Sequence, residues 1–172
     1  MDKRKIDLRP ACAADLEEIV KIYQHARAFM RSYGNLTQWP EHYPGMESAQ
    51  EDLEQGVLYV AENEGEVVGT CVLMSGPDAT YAYIENGTWR SDTPYGVLHR
   101  VASRSGGVLD AALGFARQRY DHIRMDTHED NAPMRHLLTK AGFSHRGTIY
   151  VEDGTPRMAF DYIKEGYDGE SQ

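Results

Sequence analysis

The sequence predicts one mixed α/β domain, and three observations predict it. Apolar residues recur at helical spacing in three stretches: Leu16, Ile19, Val20, Tyr23, Ala26, Phe29 and Met30; then Val108, Ala112, Ala116 and Tyr120 with Leu109 and Leu113 beside them; then Met134, Leu137, Leu138 and Ala141. Short apolar or alternating runs of strand type lie between and after these stripes. Two junctions, Asn63-Glu64-Gly65-Glu66 and Glu152-Asp153-Gly154-Thr155-Pro156, carry the turn residues of hairpins. No repeat or linker interrupts the pattern, so residues 1–172 read as one domain with a core over about 6–163.

The elements follow in order. Residues 6–9 alternate Ile6 and Leu8 with Asp7 and Arg9, a short strand ended by Pro10. The first helix starts at Asp15, with Glu18 three residues on as a capping box, or at Cys12 with Asp15 in that role; Gly34 stops it. Residues 35–45, with Trp39, Pro40, Tyr43 and Pro44, form an aromatic loop. Residues 46–55 are a short acidic helix closed by Gly56. Residues 57–62 and 67–74 pair as a hairpin, and Gly76-Pro77-Asp78 turns the chain again. Residues 81–84 are a short strand, 85–94 a polar loop, and 95–103 an apolar strand broken by Gly106-Gly107. A helix from Val108, a strand at 123–127 and a helix at 131–141 stopped by Gly142 follow. Residues 143–151 and 157–163 make the last hairpin, and the polar stretch 165–172 is expected to fray.

Charge and composition narrow the function. A net charge of −9 argues against long nucleic acid as a partner. An acidic surface modestly favours a cationic substrate. No apolar run is long enough for a bilayer, and the charged start Met1-Asp2-Lys3-Arg4-Lys5 leads into no signal-like apolar segment, so no membrane role and a cytoplasmic location are expected. The two cysteines, Cys12 and Cys71, sit in apolar patterns without metal-type spacing, which fits a reducing compartment. Cys71 reads as a small hydrophobe within its strand.

The stretch from His99 to Leu113 carries the chemistry. A strand ends at Ser103, Arg104-Ser105-Gly106-Gly107 turns, and an apolar-faced helix starts at once. Such a turn aims unpaired N–H groups and the positive end of the helix dipole at one spot, which suits a diphosphate, and Arg104 adds a charged donor. The same glycines equally serve a tight strand-to-helix connection. Asp126, His128 and Asp130 alternate on one face of an extended chain; solvated strand-end residues explain them without a metal, and none is expected.

Together with Asn131-Ala132-Pro133-Met134 through Gly142-Phe143, this stretch resembles the GNAT family of N-acetyltransferases. Arg104, Gly107 and Leu109 occupy the positions of that family's phosphate loop, Leu109 departing from its usual Gly or Ala. Asn131, Gly142 and Phe143 match the spacing after the next strand, and residues 6–11 with Asp15-Leu16 match its opening. The resemblance spans about 6–163. It implies an acyl-coenzyme A N-acyltransferase fold, a central, mostly antiparallel sheet with two splayed parallel strands, flanked by helices. It implies acetyl-coenzyme A as cosubstrate, its pantetheine arm pairing with Val101, Ala102 and Ser103 and its pyrophosphate lying on Arg104, Ser105, Gly106, Gly107, Val108 and Leu109. Asn131 would touch the arm or simply cap its helix. A homodimer is common in folds of this kind.

Direct transfer to an amine needs a base, a donor to the carbonyl oxygen and help for the leaving thiolate. His99, on the strand expected to face the thioester, is the first candidate base and Glu85 the second; each also reads as an ordinary packed or solvated residue. The N–H of Val101 or Ala102 suits the oxygen. The family's usual tyrosine for the thiol falls on Leu138, so Tyr150 is the substitute to test. Tyr33, Trp39, Tyr43, Tyr81, Tyr83 and Trp89 are candidate walls of an acceptor pocket for a small-molecule, amino-acid or peptide amine. The alternative is an acyl-coenzyme A sensor without turnover, favoured by Leu138 and the altered loop.

Overall fold

The computed structural model describes residues 5–167. The charged residues 1–4 and the polar residues 168–172 lie outside the described residues. The chain forms two compact units, one of residues 1–73 and 98–115, the other of 74–97 and 116–172.

The first unit holds β1 (Ile6–Pro10), α1 (Leu16–Ser32), α2 (Met46–Glu54), β2 (Leu58–Asn63) and most of β3 (Glu66–Ser75), β4 (Gly96–Ser103) and α3 (Val108–Arg117). α1 starts at Leu16 with Asp15 as its N-cap, and Cys12 caps the 3-10 turn before it, Ala13–Asp15, its N–H donating to Asp15 Oδ2 at 2.8 Å. Arg9 grips the same carboxylate through Nη1 and Nη2 at 2.8 and 2.9 Å, and with the Cys12 amide it holds Asp15 down to about 2. The β1–β2 and β2–β3 pairs are antiparallel. Gly69 on β3 lies directly under the start of α3. A Cβ there would lie 2.5 Å from Val108 Cγ1 and 3.0 Å from the Ala102 carbonyl oxygen. Only glycine admits this contact, which seats Val108, the first residue of α3, and so the turn before it, against Ala61 and Val68.

The second unit holds the start of β4, then β5 (His122–Thr127), α4 (Ala132–Lys140), β6 (Ser144–Tyr150) and β7 (Pro156–Ile163). β4 and β5 are parallel, while β7 pairs antiparallel with both β5 and β6. The strand order is β1-β2-β3-β4-β5-β7-β6, a seven-stranded mixed sheet. Residues 81–84 do not form the expected strand. Asp78 instead caps a 3-10 turn, Ala79–Tyr81, through Oδ1 to the Thr80 N–H at 2.9 Å. Tyr81 then buries its ring beside Val97, Ile149 and Ala159, and this local cap outweighs the alternation of Tyr81 with Tyr83.

His122 at the start of β5 is buried, with Nδ1 on Thr93 Oγ1 at 3.1 Å and Nε2 without a partner. Burial, and then the charge of Arg124, hold its imidazole below the ordinary 6.5. The unfolded chain therefore takes up this proton before the folded one as pH falls. The stability that this neutral imidazole contributes is complete above pH about 6.5 and declines below it. The thermal midpoint should be flat above neutrality and fall in mild acid, and His122→Asn should flatten that fall; an equally steep fall in the variant would refute the assignment.

Candidate active site

The parallel ladder between β4 and β5 consists of Gly96↔Ile123 and Val97↔Arg124. Among the described residues it has no further rung, so β4 from Leu98 to Ser103 carries main-chain groups that β5 does not pair. Midway through this segment Arg100 has φ +49°, a left-handed conformation in a residue that is not glycine. Such a residue turns its flanking peptide groups out of the regular pleat. The exposure pattern records the break: Gly96, Val97 and Leu98 are all buried, and His99, Arg100 and Val101 are all half-buried.

The sequence reading missed Arg100. Its Nε and Nη2 donate to Asp52 Oδ2 and Oδ1 at 3.1 and 2.8 Å, and its Nη1 donates to the Tyr43 hydroxyl at 3.1 Å. Burial raises the pKa of Asp52, against the opposing charge of Arg100 and that of His99. Two signals could have found this pair. His99-Arg100 interrupts an apolar strand, and Asp52 lies three residues after the fully buried Ala49 on one helix face.

The turn at 104–107 is held from both sides. The Arg104 N–H donates to the Val68 carbonyl at 2.9 Å, and its guanidinium donates to Glu18 Oε2 at 2.9 Å. Ser105 Oγ is buried and has no partner. Gly106 is exposed with open space where a Cβ would stand, and Gly107 has φ +94°, with a Cβ position 3.1 Å from Ile6 Cδ1. Val108 and Leu109 begin α3, whose first-turn amides have no acceptor within the helix. A cavity of about 440 Å³ is lined by Asn63, Glu64, Glu66, Val68, Arg104 and Ser105. An orphan hydroxyl, an exposed glycine pair and a ring of amides at a helix start fit a diphosphate. The sequence had Arg104 donating to that diphosphate; in the structure Glu18 already engages it.

Asn131 is buried and caps α4, its Oδ1 accepting from the Met134 N–H at 3.2 Å. Leu138 is fully buried core, so no acid stands at that position. Among the aromatic candidates of the first unit, Trp39 packs edge-on against Tyr23 with 7% exposure, and Tyr33 packs on Phe29. Tyr43 is 45% exposed. Cys71 is buried in β3, and desolvation pushes its thiol up to about 12.

The second unit brings Glu85, Tyr150 and Tyr83 together. Glu85 pairs with Thr148 in an antiparallel bridge. Its Oε2 accepts from the Tyr150 hydroxyl at 2.6 Å and its Oε1 from the Tyr83 hydroxyl at 2.7 Å. Tyr83 and Tyr150 are 61% and 37% exposed. The bond from Tyr150, and then that from Tyr83, favour the charged carboxylate and lower the Glu85 pKa, and the same bond raises that of Tyr150. Tyr81 is 1% exposed and donates to Asp126 Oδ2 at 2.6 Å, and Trp89 packs on it. With Asp126 so engaged and His128 Nδ1 accepting from the Asp130 N–H, the alternating trio serves local structure. Among the described residues no three His, Cys, Asp or Glu side chains form a metal-sized group, and no described helix is long and apolar enough to cross a membrane.

Comparison with known proteins identifies the family and the fold. The family model described as an acetyltransferase (GNAT) domain matches residues 5–144. No curated protein sequence matches the chain. A GNAT-family acetyltransferase of Streptococcus agalactiae 2603 is 27% identical, with a TM-score of 0.84 over 93% of this chain and 96% of that one. A ribosomal-protein-alanine N-acetyltransferase of Brucella melitensis (24% identical, TM-score 0.60, 91% and 98% covered) shares the fold. So does AAC(6')-Ib in complex with ribostamycin and coenzyme A (18% identical, TM-score 0.64, 97% and 98% covered).

Proposed function

The chain belongs to the GNAT acetyltransferase family, an acyl-coenzyme A-dependent class of enzyme, and from that premise we propose that it moves an acetyl group from acetyl-coenzyme A directly to the amine of a small molecule, amino acid or peptide. The observation that carries this reading is the continuous run from β4, unpaired by β5 after Val97, into a glycine turn with an orphan Ser105 hydroxyl and the open end of α3. When bound, acetyl-coenzyme A supplies a thioester carbon for the amine to attack.

The protein's residues do the rest. Main-chain groups of Val101, Ala102 and Ser103 pair with the amide-bearing arm. Residues 104–109 hold the diphosphate, Ser105 Oγ supplying the hydroxyl that has no protein partner. Asn131 lies at the start of α4, where it serves the arm in addition to its cap. An N–H of Val101 or Ala102 receives the carbonyl oxygen as it gains charge. His99 takes the proton from the amine. Glu85, kept charged by two phenols and flanked by exposed rings, suits an ammonium group before it loses its proton, a role better matched to its lowered pKa than that of base. Tyr150 meets the leaving thiolate with the hydroxyl it now gives to Glu85. Tyr83, exposed beside Glu85, offers its ring to the acceptor, whereas Trp39 and Tyr81 are buried. The buried, weakly acidic thiol of Cys71 is no nucleophile, in keeping with direct transfer.

Thiol release measured against a panel of amines tests the reading. Release should depend on both acetyl-coenzyme A and at least one amine. His99→Gln should lower turnover by roughly 10²-fold or more. Turnover unchanged in Tyr150→Phe would remove Tyr150 from the mechanism. Calorimetry without heat or saturation for any coenzyme A thioester would end the proposal as a whole.

A further inference from the structure

The proposed transfer asks β4 to hold its main-chain groups at a set angle, and Arg100 is where that angle is decided. Its φ of +49° is one that L residues rarely adopt inside a strand. The same residue is the only β4 side chain described as forking a carboxylate, with both guanidinium edges occupied by Asp52 and Tyr43. The carboxylate belongs to α2 and is buried, so the fork ties the strand to a helix rather than to solvent. Val101, next in the strand, packs on the cluster of Ala61, Val68 and Val108 under α3. The chain is thus clamped between α2 and α3 at consecutive residues, and the left-handed turn lies at the clamp.

We infer that the Arg100–Asp52 pair is a positioning device for acetyl transfer: it holds the left-handed bend of β4 and thereby aims the peptide groups at 100–102 at the reacting carbonyl. Arg100 touches neither substrate in this account; it acts through the strand. A pair kept for stability alone would be replaceable by apolar residues of similar volume without loss of turnover. A pair kept for direction would not, unless the backbone could hold the bend unaided. Glycine at 100 can, because φ +49° is open to it without steric strain.

This logic sets the test, which rests on the acetyl-transfer reading. Two double variants, Arg100→Ala with Asp52→Asn and Arg100→Gly with Asp52→Asn, are compared with wild type for kcat, KM, coenzyme A affinity and thermal midpoint. The alanine double should lose roughly 10²-fold in kcat, the scale on which small misplacements of reacting groups are felt. Its affinity for coenzyme A should fall by less than kcat does, because Ser103 and residues 104–109 lie beyond the bend while only the groups at 101 and 102 are turned. The glycine double should regain kcat to within a few-fold of wild type. Asp52→Asn alone, which keeps the shape but weakens the fork, should lower kcat with KM unchanged, and it carries the test if a double variant fails to fold. Equal kcat in the two doubles, or an unchanged kcat in Asp52→Asn, overturns the inference while leaving acetyl transfer standing. Absence of amine-dependent thiol release in the wild-type chain overturns both.

Discussion

Gly107→Val should weaken binding of coenzyme A thioesters by about ten- to a hundredfold, the equivalent of the 1–3 kcal/mol that a left-handed conformation imposes on a residue with a Cβ. Gly107 holds φ +94°, and a Cβ there stands 3.1 Å from Ile6 Cδ1. A β-branched side chain is the least tolerant of that region. The turn relaxes by rotating the peptides on either side of 107, and these are the groups that must converge on a diphosphate. Gly106 is the internal control. Its Cβ would meet open space and its φ is not left-handed, so Gly106→Ala should leave the turn's shape intact and change affinity by a few-fold at most. Calorimetry of both variants with coenzyme A decides the matter. Wild-type affinity in Gly107→Val would mean that the turn does not hold the phosphates.

Asp161→Ala should cost about 3–5 kcal/mol of stability, the usual penalty for breaking a buried ion pair from one side. Asp161 on β7 is fully buried, with Oδ1 accepting from Arg90 Nε at 2.7 Å and Oδ2 from the Arg90 N–H at 3.1 Å. Arg146 Nε lies 3.7 Å from Oδ2. Removing the carboxylate takes the counter-charge from two guanidinium groups, Arg90 on the loop that leads into β4, which keeps the Asp161 carbonyl at 3.1 Å, and Arg146 on β6, which keeps the Thr88 carbonyl at 3.0 Å. Denaturant titration should show a lower midpoint and retained cooperativity. Asp161→Asn, which keeps one acceptor, should lose less. A loss under about 1 kcal/mol in Asp161→Ala would show that solvent screens these arginines as it does a surface pair.

The element string was legible because it depends on local periodicity. The helix from Leu16, the hairpin turn at Glu64 and Gly65, and the glycine stops at 34, 56 and 142 appear as read, with φ of +91°, +73° and +93° at those stops, whereas Phe29 of the apolar stripe is 57% exposed and Ile22, outside it, is buried. The turn before Val108 was legible for the same reason. The failure at 81–84 is equally local: alternation suggested a strand, and one carboxylate, Asp78, capped a turn instead. The choice between Cys12 and Asp15 as helix start was not legible, because it depended on whether Arg9, six residues back, would claim the Asp15 carboxylate.

The candidate site divides along the same line. His99, the 104–109 turn and Asn131 were proposed from residue type, spacing and the family resemblance, since a glycine turn into a helix has one electrostatic character wherever it occurs. Arg100 and Asp52 are separated by 48 positions, and nothing in either neighbourhood names the other as partner. Glu85 and Tyr150 were each suspected alone, but their shared hydrogen bond, 65 positions apart, appears only when β6 is laid beside residue 85. By itself the sequence determined which segments coil, which extend and that a glycine turn opens the helix at Val108, because these follow from interactions within a few residues. Only the tertiary structure decided which charges meet, which rings are core and where β4 bends, because burial and pairing are set by segments that chain distance keeps apart.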